Sequence, residues 1–217
     1  MAGKTSLRKA SKKGVVREYA EAFIIAFIIA LLIRTFLVQA FKIPSSSMEP
    51  TLLVGDHILV SKFIYGIRIP YMGTKFLTFH KPKTGDIIVF VYPEDPKKDF
   101  IKRVIATERE EVQIKNRKIF VNGMAIEDPW GVYSEGGGPS APSRFRPRDN
   151  YGPRIVPPNS LFVLGDNRDN SQDSRYWGFV DLSAVKGKAF IIYFSYHKRA
   201  TNLLDKVRWS RFGKLLR

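Results

Sequence analysis

Residues Pro44–Pro50 read PSSSMEP, three serines in a row between two prolines. A serine hydroxyl becomes a nucleophile only when a base takes its proton. The run therefore raises two questions: which serine, and which base. With Pro44 and Pro50 on either side, residues 43–48 are expected to be extended. Side chains then alternate, so Ser45 and Ser47 share one side and Ser46 points away. Ser45 and Ser47 can supply a nucleophile and an oxyanion-stabilising hydroxyl in either order, and spacing does not choose between them. The plain alternative is a polar turn of three hydroxyls.

Three histidines are available as bases, His57, His80 and His197, and none stands in a recognisable triad context. The stretch Phe100–Ala106, FIKRVIA, offers a different base. Read as a strand, it puts Phe100, Lys102, Val104 and Ala106 on one face. Lys102 is then a lone ammonium among apolar neighbours. Desolvation disfavours that charge and lowers the pKa, and a neutral amine can accept a serine proton near neutral pH. The competing reading is a lysine on an edge strand whose stem lies on apolar surface while its head stays in water.

A third stretch, Gly165–Gly178, reads GDNRDNSQDSRYWG. Its Asp166, Asp169 and Asp173 suggest a calcium loop, but the spacing is wrong for an EF-hand. Arg168 and Arg175 put positive charge where a cation would sit. A loop of hydrogen-bonded Asp–Arg pairs holding a site together fits the composition better, and no metal is assigned.

These residues need a frame. Past residue 41 the apolar runs are short and rich in Ile, Val, Phe and Tyr: HILVSKF, DIIVFVY, FIKRVIA, EVQIKN, KIFVNG, LFVLGD and KAFIIYFSY. Bounded by Gly, Pro, Asn and Asp, they read as strands. Asn116-Arg117 is expected to turn a hairpin, and Glu127–Asn159, with EGGGPSAPS inside it, to be loop. The fold class is mainly β: an antiparallel, partly closed domain over 41–197, with a small appended lobe at about 108–160.

Ahead of it, a basic tail over 1–18 precedes the apolar run from Tyr19 to Phe41. The uncharged heart, Ala22–Ile33, is shorter than the roughly 20 residues a bilayer needs, so a span over 19–40 must include Arg34, near enough to its end to snorkel. A transmembrane anchor is the favoured reading. A cleaved secretory signal, with Val38–Ala40 as its small-residue site, and a buried amphipathic helix are the alternatives. Basic residues before the run place the N-terminus in the cytoplasm and everything after Phe41 outside.

The 217-residue chain carries 36 Lys+Arg against 20 Asp+Glu, a formal charge of +16. That balance favours an anionic partner, nucleic acid or phospholipid. Absence of cysteine excludes disulfides, thiolate metal sites and a thiol nucleophile. The last residues, 198–217, mix cations with Leu, Val, Trp209 and Phe212, which suits either a solvated edge or a membrane-surface contact.

PSSSMEPTL, IKRVI and GDNRDNSQDSRYWGFV, in that order after one apolar run, closely resemble the bacterial type I signal peptidases, membrane-bound Ser–Lys proteases. GDHILV at Gly55–Val60 and GDIIVF at Gly85–Phe90 add to the likeness. The resemblance implies Ser47 as nucleophile and Lys102 as general base. It implies that the Ser45 hydroxyl joins the Ser47 N–H in the oxyanion hole. It also implies that Ser171 orients the lysine and that Asp173 and Arg175 form a buried pair bracing the loop.

The same resemblance implies no cofactor. It implies preprotein signal peptides with small residues before the cut as substrates; a monomer in the cytoplasmic membrane, beside phospholipid and not nucleic acid, is the expectation. The chain departs from the pattern at Ser46, where many members have Gly, and at Glu108-Arg109 in place of a Pro-Gly turn. Its lobe is short, and one anchor is visible where some members have two. Two other readings remain: a narrower Ser–Lys processing protease of the conjugation or organelle type, and a non-catalytic β scaffold for anionic partners.

Overall fold

The computed structural model describes residues 14–68, 75–77, 80–133, 149–197 and 205–216. Helix α1, Val15–Leu32, runs into a π-helical turn, Ile33–Leu37. Together they form the one helix, among the described residues, long and apolar enough to cross a membrane. None of the α1 side chains is buried. The helix thus lies against no core, which rules out the buried amphipathic alternative. It starts ahead of Tyr19 and stops short of Ala40, because Val38–Ala40 belong to strand β1, Val38–Lys42. They pair with Leu59–Ser61 of β2, Asp56–Ser61. A cut after Ala40 would remove three of the five β1 pairs.

The strands follow the expected runs: β5 at Ile87–Val91, β6 at Asp99–Ala106, β7 at Glu111–Lys115, β8 at Lys118–Val121, β11 at Ser160–Leu164 and β13 at Val185–Ser195. Shorter pieces are β3 at Ile67–Arg68, β4 at Lys75–Leu77, β9 at Met124–Ala125, β12 at Val180–Asp181 and β14 at Lys214–Leu215. The main sheet has the order β1-β2-β13-β5-β6-β11-β12, with β14 also on β13, and every pair in it is antiparallel. β2 alternates as a half-buried strand should, with Asp56, Ile58 and Val60 buried and His57, Leu59 and Ser61 partly exposed.

A second sheet has the order β10-β7-β8-β9, with β10 at Tyr151–Ile155. Its β7–β8 hairpin turns at Asn116-Arg117, as expected, with both residues at positive φ. Asn122-Gly123 makes the next turn the same way, at φ 51° and 77°. That dipeptide is a strong hairpin signal which the strand reading of KIFVNG absorbed.

One expectation fails inside 127–159. Tyr151–Ile155 is strand β10, antiparallel to β7. Its Gly-Pro pair and largely exposed side chains carry no alternation. It forms because the edge of β7 offers unpaired backbone groups, with a register shift between Tyr151 and Arg154.

Strand β6 is the axis of the fold. From Ile101 to Ala106 every residue is buried. Ile101 packs with Ile43, Met48, Leu52, Ile58 and Ile192. Val104 packs with Ile88, Phe90 and Val163 on another front. Ile105 and Ala106 reach the core shared with the second sheet. A strand covered on both faces is a stiff support for whatever it carries.

Gly55 closes the approach to β2. Its φ is 93°, and a Cβ there would meet Tyr196 O at 2.0 Å. Both the positive φ and the contact with backbone exclude a side chain. Gly55→Ala is expected to destabilise the folded protein by roughly 2 kcal/mol or more, seen as a lowered midpoint in thermal unfolding of the detergent-solubilised protein.

Candidate active site

The serine run is not extended. Residues 47–50 turn, with Glu49 N donating to Ser46 O at 3.0 Å and Leu52 N donating to Met48 O at 2.8 Å. The reason lies in the core: Met48 and Leu52 are both fully buried, and a helical turn places residues four apart on one side. The alternation argument thus fails beyond Pro44. Burial separates the two candidates instead, since Ser45 is exposed while Ser47 is only 8% exposed.

Lys102 arrives from β6, on the same side as Phe100, whose ring centroid is 5.3 Å from Nζ. It is 3% exposed. Its Nζ lies 2.7 Å from Ser47 Oγ and donates to Ile101 O at 2.9 Å. Burial drives the amine down from the ordinary lysine range to about 8. The carboxylates of Asp173 and Asp166 oppose that shift, and the Arg175 guanidinium adds to it. A lysine held near 8 is neutral in a useful fraction of molecules at physiological pH.

The loop from Gly165 docks onto the serine turn. Asn167 N donates to Ser47 O at 3.1 Å, Asn167 Nδ2 to Ser46 O at 3.2 Å, and Asn170 Nδ2 to Ser46 Oγ at 2.7 Å. Gly165 makes the close approach possible: a Cβ there would lie 2.3 Å from Ser171 Oγ and 2.4 Å from Ser47 O. Asp173 is fully buried and receives a two-pronged contact from Arg175, Nε to Oδ1 and Nη2 to Oδ2, each at 2.8 Å. It also accepts from Gly165 N at 3.1 Å and caps the short helix α2, Ser174–Trp177. Removing one partner of such a buried pair typically costs about 3–5 kcal/mol.

Two further arginine forks complete the frame. Arg103, with no side-chain exposure, donates to both Asp166 oxygens at 2.8 and 2.7 Å and to Gly85 O at 2.7 Å. Its guanidinium carbon also lies 4.4 Å from the Trp130 ring centroid. Arg168 grips Asp128, with Nη2 to Oδ1 at 2.8 Å, and donates to Gly165 O at 3.0 Å. The Asp-rich loop is therefore cross-linked by Asp–Arg pairs, but two of the partners, Arg103 and Asp128, come from outside it. In the sequence Arg103 is marked only by its place next to Lys102 in an otherwise apolar run.

Of the expected residues, the structure brings Ser47, Lys102, Asp173 and Arg175 together. Ser171 is buried nearby, its Oγ without a hydrogen-bond partner among the described residues, and Lys102 Nζ donates to Ile101 O. His57 is placed by aromatic contacts with Tyr193 and Phe194 and by Gly55 O at 3.1 Å from Nδ1. His80 and His197 are exposed.

The family described as signal peptidase, peptidase S26, matches residues 16–194. Signal peptidase I of Pseudomonas aeruginosa is 38% identical over 219 residues, covering 88% of this chain and 76% of that protein. Signal peptidase I of Aquifex aeolicus is 36% identical over 228 residues, covering 82% and 84%. A crystal structure of a signal peptidase I from Enterococcus faecalis V583 is 28% identical, covering 51% of this chain and 98% of that one, with a TM-score of 0.40. A matched span from the apolar helix to the end of β13, containing the buried serine and lysine, places this chain in the signal peptidase family S26.

Proposed function

We propose that the protein is a membrane-anchored serine endopeptidase that removes N-terminal signal peptides from exported preproteins, with Ser47 as nucleophile and Lys102 as general base. The observation that carries this reading is the buried 2.7 Å contact between Ser47 Oγ and Lys102 Nζ. Distance and dryness are the two properties a serine–amine pair needs.

With Lys102 neutral, the Ser47 hydroxyl donates to its lone pair while an amine hydrogen stays on Ile101 O. As Ser47 Oγ attacks the scissile carbonyl carbon, its proton moves to Nζ. The oxyanion is met by the Ser47 N–H and the Ser45 hydroxyl. The lysine ammonium then gives its proton to the leaving amine, and the C–N bond breaks. The amine, neutral again, deprotonates a water that attacks the acyl ester, and the ammonium so formed returns that proton to Ser47 Oγ as the acyl–oxygen bond breaks. Asp173 and Arg175 hold the loop on which the serine turn rests.

The substrate lies extended, pairing through its main chain, with small side chains one and three positions before the cut. The anchor spans the cytoplasmic membrane with the basic tail inside and the β body on the outer face. The enzyme acts as a monomer, and phospholipid is its anionic neighbour. Trp209 and Phe63, 68% and 45% exposed, together with the surrounding cations, suit the headgroup zone.

Ser47→Ala and Lys102→Ala are each expected to abolish cleavage of a preprotein by the purified protein in detergent while the thermal transition persists; near-normal processing by either variant would refute the pair. Ser45→Ala should lower kcat by about 10²–10³-fold, the usual scale for one oxyanion donor, and an unchanged rate removes that role. Because the base must be neutral, kcat/KM should rise with pH and level off above about 8. A profile flat from pH 6 to 9 would show that the amine is not the base.

A further inference from the structure

We infer that the C-terminal segment 205–216 is a strap that positions the nucleophile turn, and that Arg211 is its positioning residue. This inference rests on the Ser47–Lys102 reading above. The segment is stitched to β13 through main-chain bonds: His197 N to Lys206 O, Arg208 N to Ser195 O, Gly213 N to Ile192 O and Leu216 N to Phe190 O, all between 2.7 and 3.0 Å. From that position it reaches back to the leg of chain that follows Ser47.

Arg211 Nη2 donates to Thr51 O at 2.8 Å and to Asp56 Oδ2 at 2.6 Å, and Nε lies 3.0 and 3.1 Å from the two Asp56 oxygens. Asp56 is fully buried and also accepts from Leu53 N at 2.8 Å and Ser195 Oγ at 2.6 Å. Arg208 Nη1 donates to Val54 O at 3.1 Å. Residues 51–56 are thus pinned at four points by groups on β13 or the strap. At the end of the segment, Leu216 is 6% exposed and packs in the cluster that holds Ile43, Met48 and Leu52.

The consequence follows from the shape of the turn. Met48 and Leu52 anchor the turn that carries Ser47, and Ser47 Oγ must stay within hydrogen-bond reach of a lysine fixed on β6. A guanidinium fork sets two directions at once, on the Thr51 carbonyl and on the Asp56 carboxylate. An ammonium can neutralise Asp56 but cannot reproduce both. If the leg slackens, Ser47 drifts and water reaches Lys102. The first lowers kcat, and the second moves the amine back toward its ordinary range. A purely structural staple would change the melting temperature and leave the folded enzyme's rate and pH profile alone.

The test uses the full chain in detergent micelles with a preprotein substrate, scored per folded molecule. Arg211→Lys keeps the charge, and Leu216→Ala changes none. Lys214→Met removes an exposed cation from the same segment. Ser47→Ala checks the underlying reading. For Arg211→Lys and Leu216→Ala, kcat is expected to fall roughly 10- to 100-fold with KM little changed. The acidic limb of kcat should move up by about 0.5–1 pH unit, while Lys214→Met behaves as wild type. The strap proposal is overturned if kcat and the acidic limb stay within twofold and 0.2 units, roughly, in both positioning variants. It is equally overturned if Lys214→Met loses as much as they do, since the segment would then act through its charge on lipid. Cleavage by Ser47→Ala would sink the catalytic reading instead.

Discussion

An amine kept from water must be given something else to bond to, and the groups around Lys102 are arranged by that constraint. The side chain is 3% exposed, and two oxygens, Ser47 Oγ and Ile101 O, stand where water would. Burial lowers its proton affinity to about 8. The same burial has a thermodynamic sign. The folded-state value lies below that of an unfolded lysine, so the unfolded chain binds more protons between roughly 8 and 10.4. Stability is therefore full above the unfolded value and is lost as pH falls through the folded one, by about 3 kcal/mol. An amine kept partly neutral near neutral pH thus contributes less stability there than it would in alkali.

That cost is tolerable because the surroundings are stiff. β6 is covered on both faces from Ile101 onward, so the lysine stem has little freedom. Opposite it, the turn carrying Ser47 has no strand ladder of its own. Its geometry comes from Met48 and Leu52 below and from Asn167 and Asn170 above. Gly165 lets those two layers meet, since any Cβ would strike Ser171 and Ser47 together. The Ser47 turn is in effect built from the outside, by elements more than a hundred residues further along the chain.

The arginines share one logic. Asp56, Asp166 and Asp173 are fully buried carboxylates, and each faces a guanidinium fork. Unpaired, any of them would be expensive inside the protein; paired, each fixes two directions in space. The fork from Arg103 ties the Gly165 loop to β6, that from Arg175 closes the loop on itself, and that from Arg211 ties the residues after Ser47 to the C-terminal segment.

The sequence by itself determined the strands, because short Ile/Val/Phe-rich runs between Gly, Pro and Asn punctuation have few other uses. It determined that Lys102 would share a strand face with Phe100 and Val104, since the two-residue period is a local property. It also carried the motif words that named Ser47 over Ser45. Tertiary structure decided the rest. The serine run is a turn because Met48 and Leu52 must both enter the core, a demand that pure alternation cannot express. Tyr151–Ile155 is a strand because β7 had an open edge, not because its residues prefer it. Ile101 O accepts from the lysine amine. Arg103, Asp128 and Arg211 reach carboxylates or guanidinium groups distant in sequence. Such pairings depend on which surfaces the packed sheets bring face to face, and no local pattern encodes that.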